Sequence, residues 1–217
     1  MLRVLIADDH EVARRGIRAL LESHPGWEVC GEAKDGRETV ELANQLKPDV
    51  TLLDIGMPNL NGLEAARQIL AVSPDAAILI LTMHDTDHVV REVLRAGARG
   101  FLLKSDAGRD LVAAVEALQQ QRTFFTTRVS QMVLDGYLGR ENYEAGNGDR
   151  EDVLTTRERE VIQLLAEGKT SKEVAVALNL SVKTAETHRT NLMRKLDLHS
   201  VADLTRYAVR NGIVQVF

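Results

Sequence analysis

Short apolar runs alternate with longer amphipathic stretches along the first 121 residues of the chain. The amphipathic stretches repeat apolar residues with a helical period, at residues 11–23, 37–46, 63–72, 87–96 and 110–120. The apolar runs between them predict β-strands at residues 2–7, 28–33, 50–54, 77–82 and 100–103. Five such units predict an α/β fold, a doubly wound five-stranded parallel sheet covered by helices on both faces.

After residue 122 the pattern changes from strand–helix units to helices alone. Residues 123–152 include one candidate short helix and then a stretch of glycine, asparagine and charged residues without apolar periodicity, which is typical of a linker. From residue 153 onward every element has a helical pattern. We therefore expect a first domain at residues 1–122, a linker at 123–152 and a small all-α domain at 153–217.

Composition limits the class of protein. The 217 residues are 44% hydrophobic and 27% charged, enough to fill the cores of two small domains. Cys30 is the only cysteine, which excludes a disulfide framework and a thiolate metal cluster. No apolar run approaches the length of a membrane span, and the N-terminus has no signal-peptide pattern. We expect a cytoplasmic protein with no membrane partner.

Five polar residues stand at the ends of four predicted strands. In an open parallel sheet all strand carboxyl ends lie at one edge, so these side chains should converge in one crevice. Three carboxylates, a hydroxyl and an ammonium favour a site that binds a divalent cation and accepts a phosphoryl group. Each one alone has a plainer explanation, such as helix capping or a solvated surface charge. The residues are Asp8, Asp9, Asp54, Thr82 and Lys104.

The chemistry of this crevice assigns a role to each group. Adjacent Asp8 and Asp9 repel each other unless a cation lies between them and Asp54, and hard oxygen ligands suit Mg²⁺. Asp54 is the natural nucleophile, since carboxylates form aspartyl phosphates. Lys104 would neutralise charge on the transferring group, and the Thr82 hydroxyl could then bind a phosphate oxygen.

The strings LIADDHEVARRG, LLDIGMPNLNG, ILTMHD and GARGFLLK resemble the receiver domain of bacterial two-component response regulators, which has a flavodoxin-like fold. The resemblance covers residues 1–122. It implies that Asp54 is the phospho-acceptor, that Asp9, Asp54 and the Gly56 carbonyl coordinate Mg²⁺, and that Asp8 acts through water. It also implies that Thr82 and Phe101 are switch residues and that Lys104 binds phosphate. One departure is Ser105, where many receivers have proline after the lysine.

The second domain has the elements of a helix-turn-helix. A short helix at residues 171–178, a turn at 179–180 and a longer helix from 182 to 196, capped by Ser181, follow in order. Residues 151–217 have a net charge of +1 against −6 for residues 1–150, so any nucleic-acid signal is local.

At 100° per residue, the long helix has one apolar face and one polar face. Lys183, Glu186, Thr187, Thr190 and Arg194 fall within about 60° of one line along it. Short polar side chains between two cations suit a helix that enters a DNA groove. A solvated helix face is the plainer alternative.

The string LTTREREVIQLLAEGKTSKEVAVALNLSVKTAETHRTNLMRKL resembles the LuxR-type helix-turn-helix, and a receiver followed by such a domain is the NarL/FixJ architecture. The resemblance implies base-facing residues at Glu186, Thr187 and Thr190. It places Lys183, Thr184, His188, Arg189, Arg194 and Lys195 near the DNA backbone. It also implies a final helix that pairs two protomers through Val201, Leu204, Tyr207 and Ala208.

Three functional classes follow from these patterns. The first is a transcription regulator that accepts a phosphoryl group from a sensor histidine kinase, uses Mg²⁺, and binds double-stranded DNA as a homodimer once phosphorylated. In this class the unphosphorylated first domain should cover the DNA-binding helix.

The second class is a haloacid-dehalogenase-type phosphatase, which needs a D-x-D pair that Asp8 and Asp9 do not form. The third is a receiver whose second domain binds protein, or whose switching needs no phosphate; Lys183, Arg189 and Arg194 argue against it. We favour the first class, which is not an enzyme beyond self-directed phosphotransfer and dephosphorylation.

A separate pair of histidines, His84 and His88, lies four residues apart beside two aspartates. This spacing could hold Zn²⁺, but the sequence offers no second pair of ligands nearby, which favours exposed polar residues instead.

Overall fold

The structure is a computed structural model that describes residues 1–83, 86–137 and 154–214. The first domain alternates strands and helices as the apolar pattern predicts. Its elements are β1 (Leu2–Ala7), α1 (Glu11–Glu22), β2 (Trp27–Ala33), α2 (Gly36–Leu46), β3 (Val50–Asp54), α3 (Gly62–Val72), β4 (Ala77–Thr82), α4 (Asp87–Arg95), β5 (Gly100–Leu103) and α5 (Ala107–Gln119).

The five strands form one parallel sheet in the order β2-β1-β3-β4-β5. Side chains alternate between its two faces, because successive residues of a strand point in opposite directions. Leu5 and Ala7 therefore pack into one core, under α2, α3 and α4, whereas Val4 and Ile6 pack into the other, under α1 and α5. The predicted doubly wound α/β fold is confirmed.

The register of the central strands brings their carboxyl ends to one level. Ala7 pairs with Leu53, Asp54 pairs with Leu81, and Thr82 pairs with Leu103. The residues that end or follow β1, β3, β4 and β5 are therefore neighbours at one edge of the sheet. After β5, residues Lys104–Asp106 form a single 3₁₀ turn, and α5 begins at Ala107, three residues earlier than expected.

Part of the segment predicted as a linker packs on the first domain. The backbone of Phe124 accepts a hydrogen bond from Phe101 N at 2.9 Å and donates one to Arg99 O at 3.0 Å. A helix α6 (Thr127–Tyr137) follows, and its Val129 is buried in the same core as Val90 and Val93 of α4. The remaining linker prediction, at residues 138–152, lies outside the described residues.

The C-terminal domain is a cluster of four helices, as expected. These are α7 (Thr156–Ala166), α8 (Ser171–Ala177), α9 (Val182–Lys195) and α10 (Val201–Arg210). Thr155 with Glu158, and Thr170 with Glu173, form capping boxes that fix the starts of α7 and α8. Within the described ranges, no helix has the length and apolar character needed to cross a bilayer.

Candidate functional site

Three aspartates converge where β1 and β3 end. One carboxylate oxygen each from Asp8, Asp9 and Asp54, together with a ring nitrogen of His10, lie within 4.8 Å of one another. Asp8 is fully buried and Asp54 is 4% exposed, while Asp9 is half-buried. Three carboxylates this close repel each other, so the site is built for a cation.

Lys104 supplies a positive charge inside this cluster. Its Nζ lies 2.7 Å from Asp8 Oδ2 and 3.0 Å from Asp54 Oδ2. Burial opposes the charge on Lys104, but the Asp54 carboxylate, and then Asp8, raise the pKa of the ammonium above its ordinary value. The lysine after β5 is therefore a charged member of the site and not a solvated surface group.

Burial raises the pKa of Asp54 above its ordinary value. The neighbouring Asp8 and Asp9 act in the same direction, and Lys104 opposes them. The negative charge on Asp54 is therefore poorly solvated and is held chiefly by one ammonium. A further cation placed beside such a carboxylate stabilises its charged form.

The donor set fits Mg²⁺. Carboxylate oxygens are the ligands this small, hard cation prefers, and it usually keeps water and phosphate oxygens in its remaining positions. Gly56, whose carbonyl is the further expected ligand, lies two residues after Asp54 on the β3–α3 loop, residues 55–61.

His10 is a residue of the site that the sequence reasoning missed. Its Nδ1 lies 2.7 Å from Asp9 Oδ1, and its backbone N–H donates to Asp8 Oδ1 at 2.9 Å. Arg14 also reaches the site, since its guanidinium donates to the Asp8 carbonyl at 2.6 Å. The signal available was position alone, because His10 directly follows the acidic pair.

The two expected switch residues lie on β4 and β5 and are buried. Thr82 ends β4 and is fully buried, and Phe101 is fully buried in the core under α3 and α4. Thr82 is on β4, which is next to β3, and Phe101 is on β5, one strand further away. A movement of either would need the surrounding core to repack.

The polar face of α9 has the arrangement that the helical angles predict. Ala185 and Leu192 are buried in the core of the C-terminal domain. The opposite face is exposed at Lys183, Thr184, Glu186, Thr187, Thr190 and Arg194, while His188 and Arg189 are half-buried. Thr187 and Thr190 direct their hydroxyls to the carbonyls of Lys183 and Glu186, each at 2.9 Å.

The expectation that the first domain covers this helix is wrong for this structure. The first domain instead contacts α7 and the segment after α10. Asn61 N donates to Gln163 Oε1 at 2.8 Å, Asn61 Nδ2 donates to Ile213 O at 3.0 Å, and Gln68 Nε2 donates to Glu160 Oε1 at 3.0 Å. Because the docked surface belongs to α7, the polar face of α9 stays open.

Lys195 differs from the other expected DNA contacts. Its Nζ lies 2.8 Å from Glu158 Oε2 in α7. Although burial opposes it, the ion pair with Lys195 and the hydrogen bonds from Thr155 hold the pKa of Glu158 below its usual range. In this conformation Lys195 ties α9 to α7, and a contact with phosphate would require it to leave Glu158.

Two of the four expected dimer residues lie in the domain's own core. Leu204 is 1% exposed and Ala208 is fully buried, because this face of α10 packs on α7. Tyr207 is half-buried, and Val201 is exposed. Leu204 and Ala208 therefore position α10, and they are not free to contact a partner in this conformation. Of the candidate zinc pair, His84 lies outside the described residues and His88 is half-buried on α4.

Known families match both halves of the chain. Residues 4–116 match the family described as the response regulator receiver domain. Residues 152–208 match bacterial regulatory proteins of the luxR family. The acidic cluster of Asp8, Asp9 and Asp54 is of the kind that binds Mg²⁺ in receiver domains.

Similar proteins span the whole chain. The transcriptional regulatory protein LiaR of Bacillus subtilis is 40% identical over 99% of this chain and 100% of its own length. The oxygen regulatory protein NreC of Staphylococcus carnosus is 35% identical over 98% and 99% of the two chains.

Among solved structures, RcsB of Salmonella enterica serovar Typhimurium, bound to promoter rprA with the phosphomimetic BeF₃⁻, is 31% identical and has a TM-score of 0.60 over 95% of this chain and 97% of that one. A structure of an RcsB–DNA complex is 30% identical, with a TM-score of 0.58 over 97% and 98%. The chain belongs to the NarL/FixJ family of two-component response regulators, DNA-binding transcription regulators in which a receiver domain precedes a LuxR-type helix-turn-helix.

Proposed function

We propose that this regulator accepts a phosphoryl group on Asp54 from a sensor histidine kinase, and that this modification promotes binding of a homodimer to double-stranded DNA. The observation that carries the proposal is the buried crevice in which Lys104 bridges Asp8 and Asp54. Asp54 is 4% exposed and lies beside one ammonium and two further carboxylates. This arrangement suits the transfer of a charged phosphoryl group, and it does not serve packing.

The transfer is a substitution at phosphorus. An Asp54 oxygen attacks the phosphorus of a phosphohistidine, a P–O bond forms, and the P–N bond breaks as the histidine leaves as imidazole. Lys104 compensates the charge on the phosphoryl oxygens from its position 3.0 Å from the Asp54 carboxylate. When bound, Mg²⁺ would be held by Asp9, Asp54 and the Gly56 carbonyl, with Asp8 acting through water, and would neutralise further charge.

The response is a change in population between two conformations. Thr82 binds a phosphoryl oxygen, and Phe101 repacks with it, which alters the surface formed by α4 and β5. Both residues are fully buried, so the response spreads through the core as a discrete repacking.

DNA is bound through the open polar face of α9. Thr187 and Thr190 face the bases, with Glu186 beside them, and Lys183, Thr184, His188, Arg189 and Arg194 lie near the backbone. The RcsB structures bound to DNA support DNA binding by this chain, because RcsB is similar over nearly the whole chain. Two protomers pair through α10 around the exposed Val201 and the half-buried Tyr207, and a two-fold arrangement matches two DNA half-sites.

Phosphorylation with acetyl phosphate tests the acceptor directly. With Mg²⁺ present, the wild-type chain should gain one acid-resistant, base-labile phosphoryl group, which mass spectrometry should locate on Asp54. Asp54→Asn should gain none, and Asp9→Ala should be strongly impaired because it loses a metal ligand. Asp75→Asn, whose side chain is fully exposed, is the matched control and should behave as wild type. Phosphate found on another residue of the wild-type chain would exclude the assignment.

A further inference from the structure

The side chain of Gln163 in α7 bridges two residues of the β3–α3 loop of the receiver, Met57 and Asn61. Its Oε1 accepts a hydrogen bond from Asn61 N at 2.8 Å, and its Nε2 donates to Met57 O at 3.1 Å. Gln163 and Met57 are each 2% exposed, and Asn61 is 6% exposed. One amide from the output domain therefore satisfies a buried donor and a buried acceptor of the receiver backbone.

Neighbouring residues fix this amide in place. Gln163 Nε2 also donates to Glu167 Oε1 at 2.8 Å, and the same oxygen accepts from Asn59 N at 3.1 Å. Asn61 Nδ2 donates in turn to Ile213 O at 3.0 Å. Each polar group of the Gln163 side chain has a hydrogen-bond partner. The amide therefore has one orientation, and it can bind the loop in only one position.

The same loop begins at the proposed acceptor. Ile55 directly follows Asp54, and its carbonyl accepts a hydrogen bond from Gly62 N at 3.1 Å. The start of α3 and the end of β3 are in close contact, since a Cβ on Gly62 would lie 2.0 Å from the Asp54 carbonyl oxygen. Because Asp54 is 4% exposed, a group added to its carboxylate must displace neighbouring atoms, and this loop is the adjoining backbone.

We propose that Gln163 is the positioning residue that couples the state of Asp54 to docking of the output domain. The inference rests on the proposed function. A shift of the loop that accommodates a phosphoryl group changes the distance between Met57 O and Asn61 N. The planar amide of Gln163 can then no longer form hydrogen bonds with both atoms. Phosphorylation therefore weakens docking of α7. The coupling between Asp54 and the output domain passes through α7, and it does not require the receiver to cover α9.

Linkage gives a prediction that a purely structural role does not make. If a phosphoryl group weakens the hydrogen bonds between the Gln163 amide and the loop, then removal of those hydrogen bonds must strengthen binding of a phosphoryl analogue by the same factor. Beryllofluoride is the probe, with Mg²⁺ present, because its binding is an equilibrium and can be titrated. The residue changed lies in the other domain, more than 100 positions away from Asp54 along the chain.

The experiment titrates the full chain with beryllofluoride by calorimetry and follows amide hydrogen exchange in residues 55–62 and 156–167. Gln163→Leu keeps the side-chain volume and removes both hydrogen bonds. We expect it to bind beryllofluoride about tenfold more tightly than wild type, within the usual range of coupling between sites. Exchange should rise in both segments. Gln163→Glu keeps an acceptor for Asn61 N but places a carboxylate against Met57 O, and should also bind more tightly.

Gln68→Ala is the matched control, because it removes an interdomain hydrogen bond to Glu160 without touching the loop. It should leave the beryllofluoride affinity within about twofold of wild type, below the usual range of coupling between sites. Equal affinities for Gln163→Leu and wild type would overturn the inference, as would an equal gain for Gln68→Ala. A wild-type chain that binds no beryllofluoride would instead contradict the proposed function, so the two failures are distinguishable.

Discussion

Lys104 lies between two buried carboxylates, and its charge decides how much free energy their burial costs. Burial raises the pKa of Asp54, and the Asp54 and Asp8 carboxylates raise the pKa of Lys104 against the effect of burial. A cation that is held in this way can later be shared with an incoming phosphoryl group. The residue that the proposed phosphoryl transfer uses is thus also the residue that stabilises the two buried carboxylates.

Removal of Lys104 should therefore destabilise the chain, most strongly at neutral pH. Lys104→Met leaves Asp8 and Asp54 without their partner, and the expected loss is about 3–5 kcal/mol of unfolding free energy at pH 7 with a chelator present. The loss should shrink as the pH falls, because the Asp54 carboxyl, whose pKa is raised in the folded state, takes up a proton more readily there and then no longer needs the ammonium.

Urea unfolding between pH 4 and pH 8 measures this effect. Lys172→Met, at an exposed position of α8, is the control and should change stability by no more than about 0.5 kcal/mol at any pH. A loss for Lys104→Met that is equal at both ends of the pH range would contradict the account of this charge.

At the scale of elements, the start of α3 is packed directly against the end of β3. Gly62 is the first residue of α3, and a Cβ there would lie 2.0 Å from the carbonyl oxygen of Asp54 and 2.8 Å from its carbonyl carbon. Backbone atoms of a central strand cannot move cheaply. The absence of a side chain at this position therefore sets how the β3–α3 loop returns from the site.

Gly62→Ala should destabilise the chain by at least about 2–3 kcal/mol, the cost of forcing a methyl group into a packed interior. Gly16→Ala is the matched control, since Gly16 lies inside α1 with open space around its Cβ position, and it should stabilise by about 0.5–1 kcal/mol. The midpoints of urea unfolding give both values. Equal midpoints for the two variants would show that this close packing is wrong.

The polar face of α9 makes a different prediction, about salt. Arg194→Ala should weaken binding to specific and random duplexes alike, and reduce the log–log salt slope by about one for the lost phosphate contact. Arg206→Ala removes the same charge from α10, where the arginine is exposed and pairs with Asp203. It should leave the slope unchanged. If the two variants have the same slope, α9 does not lie in the groove as placed.

Local patterns predicted most of these elements and failed where contacts are long-range. Strand and helix bounds follow from periodicities of two and 3.6, so β1, β3, β4 and β5 agree with the expected limits to the residue. The sequence predicts that the apolar face of α10 contacts a partner, but Leu204 and Ala208 lie in the core of their own domain, because a helical pattern does not say which apolar residues that domain covers. The Gln163–Asn61 hydrogen bond joins residues 102 apart, and no local signal marks it.

At the scale of the whole molecule, the receiver and the output domain are joined by buried polar contacts and not by a covered DNA-binding face. Asn61, Gln163 and Glu160 are all buried at this junction, and Glu64 lies there too, with a pKa raised chiefly by burial. Polar contacts that must each be satisfied allow one docked arrangement and are lost together. Such a junction suits a two-state switch, in which phosphorylation changes how freely the output domain can reorient.

The central claim is that the state of Asp54 sets the affinity for DNA, and one titration tests it most directly. The full chain is titrated onto a duplex selected from random sequence with the wild-type protein, with and without beryllofluoride and Mg²⁺. The account predicts that the ligand raises wild-type affinity by about tenfold or more, as expected for coupled sites, and leaves Asp54→Asn unchanged. A wild-type chain that binds beryllofluoride with no gain in DNA affinity, or an Asp54→Asn chain that gains as much as wild type, would contradict it.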